Sequence, residues 1–364
     1  MFRIFSNENK NDQWKIPLPD DVTRIIIEYC PSEEQKTLIN HPLFSEVLLA
    51  KRILHHVALG EQEKAEAILK KLKDDKIEIV KLLSQKNNIT DLSGRTFQRI
   101  TPFQYSLWAL DRHMWTMLLI YLPENKAALQ LRELENAGVT YLKAKSIDNK
   151  PEILIENERH FDFSELIAAL EDYLNNFELY RKNNVLADTW RKKVGLAQRY
   201  IPAHVANEYC RTDRSFAPTP GFNEWTLPRI LDFNYNDWPY NFSVWFSDQV
   251  IFERVSIFSK VYVNATLGVK CAIFRGKEKN ARVLSEELPT SWSGFSNCLC
   301  VSYSDANIDL QAIKSLRNQR KYEYARLKTR LENKYFDKSF IKKLSSLHSD
   351  IPPLDVRHKS IRLD

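Results

Sequence analysis

The densest set of side chains able to do chemistry lies between Gln198 and Phe216, in the stretch QRYIPAHVANEYCRTDRSF. On a helix, His204, Glu208 and Arg211 fall about one turn apart and share a face. Cys210, six residues after His204, points elsewhere on such a helix. A cysteine nucleophile needs a base in spatial contact, which proximity in sequence neither supports nor excludes. A hydrolase or transferase using this chain would place its site near His204, Cys210 and Asp213. The competing reading is structural: a helix end where Arg211, Asp213 and Arg214 form ion pairs that fix the loop behind them. Ionic networks of that kind mimic catalytic sites, and the structural reading is preferred here.

Two other sets invite a chemical reading. His55, His56 and His113 have the right atoms for a metal, but no His-x-x-x-His or His-Glu-x-x-His spacing occurs, so neither metal nor cofactor is expected. The five cysteines, Cys30, Cys210, Cys271, Cys298 and Cys300, are scattered without a Cys-x-x-Cys. That argues against a disulfide framework or a zinc site and fits a reducing compartment. Further on, Arg317, Arg320, Lys321, Arg326 and Arg330 make a candidate anion-binding surface on one basic helix. Acidic lipid headgroups suit it, with Phe336 and Phe340 nearby; nucleic acid suits it less, because no base-reading module is recognisable. A plain solvated face is the alternative.

The elements that must position these groups read mostly as helices. With 364 residues, 43% hydrophobic, 12% aromatic and only eight Gly against 15 Pro, the chain is long enough to bury a core unaided and has few tight turns. The net charge of +6 on 53 basic and 47 acidic residues is a mild excess. Helices are expected over 17–29, 32–40 and from Pro42 with Phe44, Val47, Leu48 and Ile53 inward. A pair follows over 60–83, with Ala65, Ile68, Leu69 and Leu72 on one stripe and Ile77, Val80, Leu82 and Leu83 on the other. Gly94 offers a turn with positive φ. Thr101-Pro102 opens another helix, and Glu124 to Asn136 forms the next; Tyr105, Trp108 and Trp115 read as core aromatics. Val139 to Arg159 reads as a boundary with one short strand at 152–156. Helices over 163–180, 186–200 and 202–210 follow. Pro and aromatic residues then mix over 215–239 as a loop packed on a domain surface. Strands are expected at 255–263 and 269–274, with another at 298–303, before a basic helix over 311–333. No run is apolar enough to span a membrane, and Met1 to Asn11 lacks the apolar core of a secretory signal.

Two stretches resemble known families. Ile16-Pro17-Leu18-Pro19-Asp20-Asp21-Val22, followed by Ile25-Ile26-Ile27-Glu28-Tyr29, is similar to the start of an F-box. The resemblance implies that Leu18, Pro19, Val22, Ile25 and Ile26 dock on the Skp1 adaptor of a ubiquitin ligase. Ile100 to Trp115, with Thr capping, Pro in the first turn and small Ala109 at mid-helix, resembles the opening of an ankyrin-type helix pair. The two together resemble effectors that intracellular bacteria deliver into host cells by type IV secretion.

The expectation is therefore a mainly α protein: an F-box-like segment over 1–60, ankyrin-like helix pairs over 61–138, an α+β domain with a small antiparallel sheet over 150–345, and a loose tail over 346–364. The leading function is a non-enzymatic adaptor joining a Skp1-type scaffold to a target. An enzyme in the C-terminal domain and a scaffold without a ligase link are the alternatives. Localisation is expected in the host cytoplasm by a signal-peptide-independent route, or otherwise in the cytoplasm of the producing cell.

Overall fold

A computed structural model describes residues 42–147, 150–229, 232–234, 241–243, 250–252, 261–263, 267, 271–279, 282–285 and 300–335. The F-box-like residues Leu18, Pro19, Val22, Ile25 and Ile26 lie outside them, as do Cys30, Cys298, Phe336, Phe340 and the tail. The described chain is mainly helical with a small antiparallel sheet. No helix among the described residues is long and apolar enough to cross a membrane.

Three helices begin it: α1 (Pro42–Ala58), α2 (Gln62–Lys71) and α3 (Lys76–Ser84). Val47, Leu48 and Ile53 of α1 are buried, as their spacing requires. Ala65 and Leu69 are the buried residues of α2. In α3 the inward residues are Ile79, Leu82 and Leu83, while Ile77 is 84% exposed. Asp75 explains the phase: its carboxylate accepts the Glu78 amide at 2.9 Å, so the helix starts at Lys76 and Ile77 falls on the outer side.

The sheet is built from two hairpins. β1 (Asn87–Thr90) pairs with β2 (Thr96–Ile100), and β3 (Val139–Ile147) pairs with β4 (Lys150–Glu158), giving the antiparallel order β1-β2-β3-β4. Asp91 closes the first turn by accepting the amides of Ser93 at 2.9 Å and Arg95 at 3.1 Å, with Gly94 at φ 82°. The stretch 139–159 thus holds a full hairpin where a boundary was expected. Phe97 faces Tyr141 in the register, and both rings pack on Trp108 at centroid distances of 4.5 and 5.9 Å. The sheet also sits earlier in the chain than anticipated. Among the described residues the C-terminal strands form two-stranded ladders: β5 (Asp232–Asn234) with β6 (Asn241–Ser243), β7 (Val250–Phe252) with β8 (Val261–Val263), and β9 (Cys271–Phe274) with β10 (Arg282–Ser285).

Between the hairpins run α4 (Pro102–Trp108), α5 (Arg112–Tyr121) and α6 (Glu124–Ala137). Thr101 and Gln104 form a reciprocal capping box at the start of α4. Asp111 caps α5 through the Met114 amide at 3.1 Å. Leu110, between them, is fully buried at φ 58°. Such a conformation costs a side chain with a Cβ about 1–2 kcal/mol, which burial of the leucine outweighs.

The C-terminal part begins with α7 (Ser164–Asn175) and α8 (Phe177–Lys182). α9 (Leu186–Thr189) runs through a π-helical stretch, Trp190–Gly195, into α10 (Leu196–Gln198). Gln198 stands in for a strand at the edge of β9: its amide nitrogen donates to the Ile273 carbonyl at 2.7 Å, and its oxygen accepts the Ile273 amide at 2.9 Å. α11 (Ala203–Cys210) follows, and the described chain closes with α12 (Tyr303–Tyr335). Residues 300–302 do not continue as the expected strand, because Ser302 accepts the Asp305 amide at 3.1 Å and caps α12. This helix therefore starts eight positions before the anticipated Gln311. It packs on α5, α6, α7 and β9, and one hydrophobic cluster runs from Ala50 in α1 to Leu331 in α12.

Candidate functional site

α11 carries His204, Glu208 and Cys210, with Arg211, Asp213 and Arg214 just beyond its end, and every residue in the helix is buried. Apolar packing on both sides explains its sequence: Val205, Ala206, Tyr209 and Cys210 join the main core, leaving His204, Asn207 and Glu208 as polar groups inside it. Burying those groups requires partners. Glu208 finds three arginines. It accepts from Arg211 at 3.1 Å and Arg214 at 2.6 Å, and the Arg320 guanidinium lies 3.5 Å from its other oxygen. Burial alone pushes the Glu208 carboxyl up, and the three arginines oppose it.

Each of those arginines is in turn held. Arg211 makes two bonds to Asp213, both 2.7 Å, and the pairing draws the Asp213 carboxyl down to about 2. Arg214 pairs with Glu224 at 3.0 Å and lies over the Phe222 ring at 4.5 Å. Arg320 donates to the Phe222 carbonyl at 2.9 Å and to Glu323 at 2.8 Å. Phe216 and Phe222 are fully buried. Ion pairs around Arg211, Asp213 and Arg214 thus pin the aromatic loop to α11, and Trp225 on that loop stands 87% exposed with the Arg112 guanidinium 5.3 Å from its ring.

Two further arginines lock the ends of this region. Arg275, just after β9, is fully buried and donates to the carbonyls of Glu208 at 2.9 Å and Tyr209 at 2.6 Å, and also to those of Arg214 and Lys279. It therefore satisfies carbonyls at the C-terminal turn of α11 that have no helical partner. Asp309 of α12 holds the turn carrying Arg275 by accepting the amides of Arg275 at 3.1 Å and Gly276 at 2.7 Å. Only glycine fits at 276: φ is 58°, and a Cβ there would sit 2.2 Å from an Asp305 oxygen. Desolvation pushes the Asp309 carboxyl up to about 7 against the pull of those amides.

His204 occupies a different place. It lines a cavity of about 10 Å³ with Val57, Ala58, Tyr105, Asp111 and Met114. Neither Cys210 nor Asp213 reaches that cavity. Cys210 is 1% exposed, in the core, whereas the Asp213 carboxylate is half exposed and taken by Arg211. The three residues considered for an enzyme are not brought to one pocket. His113 donates from Nε2 to the Glu224 carbonyl at 2.9 Å, His56 pairs with Glu61 at 2.6 Å, and His55 is exposed. No group of three metal-binding side chains occurs among the described residues.

The basic surface needs correction. Arg320 is 0% exposed and belongs to the Glu208 cluster. Arg330 approaches Glu124 at 3.8 Å. Arg317, Lys321 and Arg326 remain on the outside, with Arg317 half buried, but Arg326 does not share the face of the other two. Lys321 and Arg326 are five residues apart and therefore about 140° apart around the helix. Counter-charges from other elements also take Lys314, Lys328 and Lys334, through Glu171, Glu135 and Glu124.

Sequence reasoning missed the long-range partners. Asp111 receives two bonds from Arg229, 2.7 and 2.9 Å. Arg95 is buried against Asp91 at 3.2 Å, donates to the Tyr200 carbonyl at 2.7 Å, and sits 4.6 Å from the Trp108 ring centre. The only advance signal was Asp111 itself, an acid directly before a helix.

A mainly helical fold around a small sheet, with its densest ionic cluster engaged internally, defines the class of protein. A family described as "CBUA0006 C-terminal domain" matches residues 165–331, the part that carries α7 to α12 and most of that cluster. The chain is 35% identical over 294 residues to the "Uncharacterized protein CBUA0006" of Coxiella burnetii, covering 78% of this chain and 76% of that protein, and it belongs to that protein's family. No solved structure matches it.

Proposed function

We propose that the protein is a non-enzymatic recognition adaptor, a bacterial effector that joins a host Skp1-type ligase scaffold to a target. The observation that carries this reading is the fate of the polar residues able to do chemistry. Glu208, Arg211, Asp213, Arg214, Arg275 and Asp309 are all committed to ion pairs or backbone groups that hold the fold together. The cavity beside His204 has room for about one water, which is no space for a substrate. Recognition is left as the role that the remaining features suit.

The F-box-like residues Leu18, Pro19, Val22, Ile25 and Ile26 supply the scaffold contact in this reading, by burying apolar side chains on the partner. Every residue of α4, whose Thr-Pro start resembles an ankyrin unit, is buried, so in this reading a target would meet the pair α4–α5 on the outer side of α5, where Ile120 is exposed. The relative in Coxiella burnetii, a type IV-secreting pathogen, supports delivery into a host cell by a route without a signal peptide. Contact with an anionic membrane through Arg317 and Lys321, one turn apart on α12, is a secondary element of the proposal; steep salt dependence of binding to anionic vesicles would be its mark.

A pulldown with purified Skp1 tests the adaptor reading. The parent chain should be retained, and Leu18→Ala/Pro19→Ala should be lost from the bead. Equal recovery of both, or of neither, removes the proposal.

A further inference from the structure

We propose that the cavity at His204 is a binding site for one water molecule, which links His204 of α11 to Asp111 at the start of α5. His204 is 1% exposed, and neither of its ring nitrogens meets a protein partner. Buried polar atoms without partners are rare, because each forfeits the hydrogen bonds it had in solvent. The cavity that His204 lines is the size of a single water, about 10 Å³. Beside His204, the lining residues with polar side chains are Asp111, Tyr105 and Ser106; the apolar ones include Val57, Ala58 and Met114.

The donor and acceptor inventory fixes the direction of the link. Asp111 pairs with Arg229 and is held ionised, so it only accepts. The neutral imidazole has one N–H to give. The water accepts that N–H and donates one of its own protons to Asp111. Its second proton is available to the Tyr105 oxygen, whose own hydroxyl proton goes to the Asp91 carboxylate at 3.3 Å. One solvent molecule thereby joins α11, α4 and the cap of α5. This site is independent of the adaptor reading and stands or falls apart from it.

The test is a crystal structure of the full chain at a resolution that shows ordered solvent, together with nuclear Overhauser contacts between water and the ring protons of isotope-labelled histidine. A density peak within hydrogen-bond distance of one His204 nitrogen and of Asp111 is expected, with a water contact to the His204 ring. His204→Phe keeps a planar ring but has no nitrogen, and should lose the peak. A dry cavity, a His204 ring turned onto a protein partner, or a peak that survives in His204→Phe would overturn the proposal.

Discussion

Asp111 and Arg229 stand 118 residues apart in sequence and make two hydrogen bonds, 2.7 and 2.9 Å long, at the junction of α5 and the aromatic loop. The same carboxylate accepts the Met114 amide and caps α5. One side chain therefore starts a helix and anchors a distant loop. Asp111→Ala removes the cap, about 1 kcal/mol, and strands a buried guanidinium, so the total loss should be about 3–5 kcal/mol. Arg229→Met alone should cost a similar amount. Adding it to Asp111→Ala should cost much less than the sum. Denaturant unfolding of the three variants checks this, and additive losses would mean that the pair is not coupled.

Stability should rise with pH between about 4 and 6.5. Burial, with Arg320 and Arg229 nearby, holds His113 down to about 4 and His204 down to about 3, against the opposing pull of Asp111. Below the ordinary histidine value of about 6.5 the unfolded chain takes up two protons that the folded one refuses. Their stabilisation is present above that value and is lost as pH falls through the folded values. Asp309, at about 7, acts in the opposite sense: the folded state keeps a proton that the unfolded state has released above about 4. The three groups together leave one extra proton on the unfolded chain, or about 1.4 kcal/mol per pH unit. Replacing both histidines by glutamine should reverse the slope, and Asp309→Asn should steepen it about twofold. Unfolding free energies from pH 4 to 6.5 decide it.

Arg95 should not tolerate lysine. Its guanidinium contacts Asp91 and the Tyr200 carbonyl inside a ring of Phe97, Trp108, Tyr141 and Phe161. An ammonium keeps the charge but cannot serve the carboxylate and the carbonyl from one flat group. Arg95→Lys should lose about 2–3 kcal/mol in chemical denaturation, and a loss near zero would show that the planar group is dispensable.

Arg320 and Arg326 should separate sharply although both were drawn from one basic helix. Arg320→Leu leaves Glu208 buried with one arginine fewer and should cost about 3 kcal/mol. Arg326, exposed over the Tyr322 ring at 5.7 Å, should change stability by less than about 0.5 kcal/mol when replaced by alanine. Melting curves of the two variants make the comparison.

Helices were legible where the apolar period was clear; among α2, α4 and α7, a capping residue marked the start only at Thr101. The start at Thr101-Pro102 and the buried Ala65 and Leu69 read correctly because each depends on neighbours within a few positions; the helix expected over 163–180 breaks at Asn176, and the one opened by Thr101 ends at Trp108, with Ala109 as its cap and not at mid-helix. The hairpin over Val139–Glu158 was harder to read. Its outer face carries Ile153 and Ile155, 67% and 73% exposed, which blurs the apolar–polar alternation that marks a half-buried strand. The ion pairs around α11 were expected in kind, since Arg211, Asp213 and Arg214 lie close together. Arg275, Arg320 and Arg229 were not, because a surface arginine and a buried one look alike until the chain is folded. The same limit made Arg320 look like part of a basic face.

The adaptor account rests on Leu18 and Pro19 meeting an outside protein. Calorimetric titration of purified Skp1 into the full chain tests that most directly. The account predicts measurable binding by the parent, weakened about 30-fold for each large apolar anchor removed, the equivalent of about 2 kcal/mol apiece. Identical heats from the parent and from Leu18→Ala/Pro19→Ala, or none from the parent, would contradict it.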